Sequence, residues 1–201
     1  MLFRSLESAL ETIDSDPQEA ATRVEAALDE AERLQMIIEG LLVLSRADNN
    51  KYPETKPFDL CEVARDRVDS WAALAEDAGV KVTLSAPASA MVRAVPNALE
   101  QIIDNYVDNA LMISPMGTTI IVKVERAPRT TTLHVLDEGP GLPEQDLERA
   151  FNRFWRARSD ATGSGLGLAI VERLVAVSGG KVRLANRRPT GLDAQAEFLN
   201  A

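Results

Sequence analysis

Residues 137–168 read DEGPGLPEQDLERAFNRFWRARSDATGSGLGL. The segment opens on one glycine cluster, Asp137-Glu138-Gly139-Pro140-Gly141-Leu142, and closes on another, Gly163-Ser164-Gly165-Leu166-Gly167-Leu168. Between 138 and 165 neither the helical nor the strand period holds. A stretch of that length inside a compact domain usually carries function, often as a lid. From Leu166 to Ser178 the pattern is helical, so the second cluster opens a helix. Gly165 and Gly167 let backbone amides approach a bound group, and a helix start adds the positive end of its dipole. Together these favour a phosphate. The alternative for the glycine run alone is a flexible loop. The run does not follow a strand directly and sits in no βαβ unit, which argues against a dinucleotide fingerprint. It also lacks the lysine-serine pair of a P-loop.

Outward from this segment, helices and strands alternate. Leu60 to Ala78 is amphipathic, with Val63, Val68, Trp71, Leu74 and Ala75 apolar, and Gly79 ends it. Residues 80–84 alternate as a strand. A second helix covers Asn97 to Met112, with Pro96 at its start. Thr118 to Arg126 and Thr130 to Asp137 are strands joined by so short a turn that they must be antiparallel. Gly179-Gly180 ends the third helix, and Lys181 to Asn186 and Ala194 to Leu199 close the chain as strands. The fold class is α+β, a two-layer α/β sandwich over residues 58–201.

The second helix carries Asn105 and Asn109, four apart and therefore on one face. Glu100, Asp104 and Asp108 lie nearby in the sequence. An asparagine oxygen is a neutral, hard ligand suited to Mg²⁺ that already carries phosphate oxygens. The alternative is a pair of asparagines facing solvent. Ile102, Ile103, Val107 and Ala110 around them favour a half-buried face instead.

The first fifty residues have a different character. Phe3, Leu6, Leu10 and Ile13 recur at three and four. Asp14-Ser15-Asp16-Pro17 stops that helix and starts another. Val24, Ala27, Ala31, Leu34, Ile38 and Leu41 then form a heptad seam. Residues 1–50 therefore read as an antiparallel helical hairpin, and a strict seam favours a homodimeric four-helix bundle over packing on its own chain. Residues 51–57 (KYPETKP) read as a linker. Acidic residues exceed basic ones, 31 to 22, giving a net charge of -9 and no overall field for nucleic acid. A single cysteine and a single histidine, Cys61 and His134, exclude a disulfide within the chain and a Cys- or His-rich metal cluster. The most apolar run, residues 36–44, is too short to span a bilayer, so direct membrane contact by these residues is not expected.

Four segments, in order, resemble the motifs of sensor histidine kinases. Asn105-Tyr106-Val107-Asp108-Asn109-Ala110 resembles the N box, and Asp137-Glu138-Gly139-Pro140-Gly141 the G1 box. Phe151-Asn152-Arg153-Phe154-Trp155-Arg156 resembles the F box, and Gly163-Ser164-Gly165-Leu166-Gly167-Leu168 the G2 box. Residues 34–48 resemble the second helix of that family's dimerisation domain. The resemblance implies a Bergerat-type ATP-binding fold and the cofactors ATP and Mg²⁺. It implies that Asp137 accepts a hydrogen bond from the adenine amino group and that Asn105 and Asn109 hold Mg²⁺ and phosphates. It implies further that Gly139, Gly141, Gly163, Gly165, Leu166 and Gly167 shape a lid and that Arg153 and Arg156 are its basic part. For the arginine cluster the alternative is a solvated surface.

The resemblance further implies transfer of the ATP γ-phosphoryl group to a histidine, then relay to a response-regulator aspartate. The expected partners are a second copy and a cognate response regulator. The expected location is cytoplasmic, within a protein anchored in the bacterial membrane. Two departures bear on this. The family's histidine-bearing segment has no counterpart here: Leu2-Phe3-Arg4-Ser5-Leu6 resembles the stretch just after that segment, so these residues alone are expected not to autophosphorylate. Position 112, often basic in the family, is Met112, and position 113 is Ile113. Two other functions compete. One is a serine/threonine kinase of the anti-sigma-factor type, which the heptad hairpin disfavours. The other is a nucleotide-sensing module without catalysis.

Overall fold

The computed structural model describes residues 54–157 and 164–201, together with residues 18, 19, 21–24, 27 and 38. Contacts divide the chain into two compact units, Met1–Val43 and Leu44–Ala201. In the first unit the described residues are helical. Of the heptad seam, Ala27 is buried, whereas Val24 and Ile38 are exposed. Phe3, Leu6, Leu10, Ile13, Ala31, Leu34 and Leu41, and the turn at Asp14–Pro17, lie outside the described residues.

The second unit runs β1 (Lys56–Asp59), α1 (Leu60–Asp77), β2 (Lys81–Ser85), β3 (Met91–Ala94), α2 (Ala98–Ile113), β4 (Thr119–Arg126), β5 (Thr130–Leu136), α3 (Gly167–Val177), β6 (Lys181–Asn186) and β7 (Leu192–Leu199). Two short 3₁₀ turns, Glu144–Asp146 and Arg149–Phe151, interrupt the stretch between β5 and α3. Five strands form one sheet in the order β2-β4-β5-β7-β6. Within it β2 and β4 are parallel, because α2 carries the chain across between them. The other pairs of that sheet are antiparallel.

Alternation along the strands sorts the side chains by face. Ile120, Val122 and Val124 of β4, Leu133 and Val135 of β5, and Ala194, Ala196 and Phe198 of β7 are buried. They meet the apolar faces of the helices: Ala64 and Val68 from α1, Leu99, Ile102, Ile103 and Tyr106 from α2, Ile170, Val171 and Leu174 from α3. The helical layer has α2 at its centre, packed on α1 and α3. Asp104 ties α2 to α1, its Oδ1 accepting from Arg67 Nε and Trp71 Nε1, each at 2.8 Å. The result is a mixed α/β two-layer sandwich.

Some expectations are corrected. Lys56 and Pro57, read as linker, are the first half of β1, which pairs antiparallel with β3 through Lys56↔Ala94 and Pro57↔Arg93. Neither strand shows in the sequence, since four residues are too few to establish a period. Leu74, counted with the apolar face of α1, is 55% exposed. Strand β7 starts at Leu192, two residues ahead of the expected Ala194.

Candidate functional site

Asp137 follows the last residue of β5 and is 3% exposed. Its amide donates to the Leu192 carbonyl at 3.0 Å, extending the pairing with β7. Its Oδ1 accepts from the Gly139 amide at 2.8 Å and the Leu192 amide at 3.1 Å. Oδ2 accepts no hydrogen bond from the described residues. Burial pushes the carboxyl above its ordinary range, while the two amides and the nearby Arg187 pull the other way. A carboxylate locked through one oxygen, with the other free, is an acceptor oriented for a donor from outside.

That residue sits in a cleft with Tyr106, Asn109, Ala110 and Ile113 of α2, Val135 of β5, Leu168 of α3, and Leu184, Leu192 and Ala194 of β6 and β7. It holds about 300 Å³, part of it open to solvent. The walls are mostly apolar, and Asp137 and Asn109 supply the polar groups. Tyr106 is anchored by its hydroxyl, which donates to the Gln195 carbonyl at 2.9 Å, and burial drives its pKa far above that of a free phenol.

Asn105 and Asn109 are half-buried on the same face of α2. Asn105 Nδ2 donates back to the Gln101 carbonyl at 2.7 Å, which leaves its Oδ1 directed away from the helix backbone. Asn109 Nδ2 is buried and has no partner among the described residues. Gly167, the first residue of α3, packs against both: a Cβ there would lie 2.8 Å from Asn105 Oδ1 and 3.4 Å from Asn109 Nδ2. A side chain at 167 would therefore fill the space between the helix start and the two amides. The sequence places the asparagines and the second glycine cluster far apart, and the fold joins them.

Two parts of the long segment between β5 and α3 meet one another at Phe154 and Gly165. The amide of Phe154 donates to the Gly165 carbonyl at 2.8 Å, so the F-box-like and G2-box-like segments touch. Phe154 itself has a positive φ of 64° and is 59% exposed. Leu166 is fully buried and anchors the entry to α3. Arg153 is exposed and Arg156 half-buried, with the Arg156 Nε buried and unpartnered among the described residues. Neither arginine lines the cleft. Gly141 also lies away from it, against Asn186 and Gly191 of the β6–β7 turn. Gly163 lies outside the described residues. Asp104 is committed to α1, while burial and the charge of Asp104 raise the Asp108 carboxyl.

One part of the site gives no signal in the sequence. The turn after β6 grips the loop that follows Asp137: Arg187 donates to the Asp137 carbonyl, and Thr190 Oγ1 to the Gly139 carbonyl at 2.6 Å. Asn186 both accepts from the Leu142 amide and donates to the Leu142 carbonyl, at 2.9 and 2.7 Å. The Pro189-Thr190-Gly191 run signals a turn, yet nothing in it points to a loop some fifty positions earlier. His134 lies on the sheet face opposite the helices, its Nδ1 3.0 Å from Asp193 Oδ1 and its Nε2 3.5 Å from Glu125 Oε2, consistent with a structural role.

Three helices thus cover one face of a mixed sheet, with an apolar cleft between the central helix and strands β5, β6 and β7. Residues 94–199 match the histidine kinase-, DNA gyrase B- and HSP90-like ATPases, and the chain belongs to that family. It is 33% identical over 162 residues to the sensor protein IrlS of Burkholderia pseudomallei, covering 78% of this chain and 34% of IrlS. It is 32% identical over 191 residues to the sensor-like histidine kinase SenX3 of Mycolicibacterium smegmatis, covering 92% of this chain and 50% of SenX3. Among solved structures, the mycobacterial sensor histidine kinase MprB superposes with a TM-score of 0.65 at 28% identity, over 73% of this chain and 97% of that one. The chain spans half or less of the length of these curated relatives. It carries the ATP-binding catalytic domain of a histidine kinase.

Proposed function

We propose that the cleft binds Mg-ATP and presents its γ-phosphoryl group for transfer to a histidine. In this reading Asp137 Oδ2 accepts from the adenine amino group, and Ile113, Val135, Leu192 and Ala194 enclose the base. Asn105 and Asn109 hold Mg²⁺ and the phosphates. The donor set fits that ion: side-chain amides are neutral oxygen ligands, which suits a cation that keeps phosphate oxygens in its shell. Asn109 Nδ2, unpartnered among the described residues, is a donor suited to a phosphate oxygen, and the cradle at Gly167 leaves space for one beside it. A bound Mg²⁺ would neutralise phosphate charge.

The chain's own residues do the rest. The start of α3 directs amides toward the phosphate region. Gly139, Gly141, Leu166 and Gly167 form the fixed frame of a lid, and the segment between them, with Gly163, Gly165, Arg153 and Arg156, closes over the nucleotide and excludes water. Phosphoryl transfer asks a protein mainly for positioning and charge neutralisation, which is what these groups supply.

Residues 1–50 are proposed to be the antiparallel hairpin that pairs two copies, residues 58–201 the catalytic domain, and the intervening segment the connection. The phosphoryl group would pass from the histidine to the aspartate of a response regulator, in a membrane-anchored sensor whose kinase region is cytoplasmic. No helix among the described residues is long and apolar enough to cross a membrane.

The carrying observation is the free Oδ2 of a buried Asp137 in an apolar cleft walled by Asn109. Calorimetry with Mg²⁺ and an unreactive ATP analogue tests it: the chain should bind, and Asp137→Asn should bind more weakly. A transfer assay to a supplied histidine-bearing dimerisation domain tests the kinase step. Nucleotide binding without transfer would favour the sensing module, a reading to which the half-exposed, uncharged Met112 lends weight.

A further inference from the structure

Asp137 is oriented from two sides, and only one is the strand it belongs to. The other is the turn between β6 and β7. Arg187 donates from Nη1 to the Asp137 main-chain carbonyl. The same residue closes its own turn, its amide donating to the Gly191 carbonyl at 2.9 Å. Gly191 has φ +110°, and a Cβ there would lie 2.0 Å from the Asp137 carbonyl oxygen. The turn therefore approaches Asp137 as closely as two backbones allow, and only glycine permits it. Leu192, next in the chain, donates its amide to Asp137 Oδ1. Thr190 and Asn186 hold Gly139 and Leu142, on the loop that continues from Asp137. Apart from the bond that closes the turn on itself, each of these contacts ends on the acid or on the loop behind it, and Arg187 brings a cationic group of the turn up to the acid.

We propose that Arg187 is a positioning residue for base recognition: by clamping the Asp137 main chain from the β6–β7 turn, it aims the carboxylate at the exocyclic amino group of the purine. This rests on the reading of Asp137 as the adenine acceptor. Arg187 does not itself line the cleft; among the lining residues it hydrogen-bonds to Asp137, so its effect on binding runs through what Asp137 does. A residue that merely holds the fold together would weaken all nucleotides alike. A residue acting through the Asp137 carboxylate affects only those that offer it an amino group.

The test compares two probes on the full 201-residue chain: an unreactive Mg-ATP analogue, and the triphosphate of purine riboside, which lacks the exocyclic amino group. The wild type should prefer the adenine nucleotide. Arg187→Met should lower its affinity about tenfold, the scale of one hydrogen bond to a charged group, and leave the purine riboside compound unchanged. Arg187→Lys should restore most of the preference. Combining Arg187→Met with Asp137→Asn should cost no more than Asp137→Asn alone. Thr190→Val, which removes only the hydroxyl on Gly139, should give a smaller loss in the same selective sense, and serves if Arg187→Met does not fold.

An equal loss for both probes, or no loss for either, overturns the role of Arg187. Loss of the preference in Asp137→Asn with none in Arg187→Met sinks the Arg187 proposal alone. A wild type with no preference, or an Asp137→Asn variant that keeps it, overturns the adenine-acceptor reading as well.

Discussion

At the scale of single residues, Asp137 shows how stability and function pull apart. Burial, the largest effect, raises its carboxyl above the ordinary value of 3.8. The folded state then holds its proton to higher pH than the unfolded chain does. The contribution of this group to stability is greatest at low pH and declines as pH rises from about 3.8 through the raised value. Near neutral pH the buried charge is a net cost. Asp137→Asn removes it, and an asparagine Oδ1 still accepts from Gly139 and Leu192. The melting temperature of this variant should therefore hold or rise at pH 7. Its nucleotide affinity should fall by about 1.5–3 kcal/mol, roughly tenfold to a hundredfold. Thermal melts beside calorimetry read both, and a variant that melts lower and binds equally well contradicts this role for Asp137. His134 offers the opposite case. Its ring lies between Asp193 and Glu125 with a side-chain exposure of 14%, so incubation with labelled ATP should leave no acid-labile label on it. Label on His134 would mean that the strand opens to present the ring.

At the scale of elements, α2 is central because its faces serve different neighbours. Asp104 faces α1, held by Arg67 and Trp71. Asn105 and Asn109 face the start of α3. Asp104→Ala should cost about 1–2 kcal/mol, less than a fully buried charged bond because the Arg67 and Asp104 side chains are about one third exposed. Urea unfolding should show the loss while nucleotide affinity stays the same. A fall in affinity would show that α1 reaches the site. Gly167→Ala should do the reverse. Its methyl group would lie 2.8 Å from Asn105 Oδ1, and the amide is a movable side-chain end, so it shifts rather than the helix. Alanine also suits a helix better than glycine. Stability should be kept, and Mg-ATP affinity should drop by about 1–2 kcal/mol. Titrations at several Mg²⁺ concentrations would reveal the cause, since a metal ligand out of place raises the Mg²⁺ requirement.

At the scale of the whole molecule, the proposal is a catalytic domain joined to a pairing hairpin. Val24 and Ile38 of the seam are 39% and 58% exposed, an arrangement that leaves apolar surface for a second copy to cover. Two of the six seam positions are alanine, a side chain with little area to bury, so the pairing should be modest in strength. A dimer whose population follows concentration is expected, and Leu34→Asp should shift it to monomer by placing a charge in the seam. Light scattering over a dilution series decides this. A monomer at every concentration, unaltered by Leu34→Asp, would assign the seam to contacts within one chain.

Much of this was legible from residue order alone, for local reasons. Strand alternation in 119–126 and 130–136, helical spacing in 60–77, 98–113 and 167–177, and glycine at the helix ends are properties of neighbouring residues, and the backbone obeys them wherever the segment sits. The glycine clusters and the paired asparagines stand out by type and spacing, whereas Asp137 stands out only through the resemblance to sensor histidine kinases. What tertiary structure alone decided is distance between segments. Strands β1 and β3, four residues each, exist because each completes the other's hydrogen bonds. Gly167 meets Asn105 and Asn109 because α2 and α3 pack side by side. Asp137 is held by Arg187 and Leu192 because β5 and β7 are neighbours in the sheet. A hydrogen bond between positions fifty residues apart leaves no trace in either local pattern, since its energy is set by a geometry that the intervening chain must first fold to create.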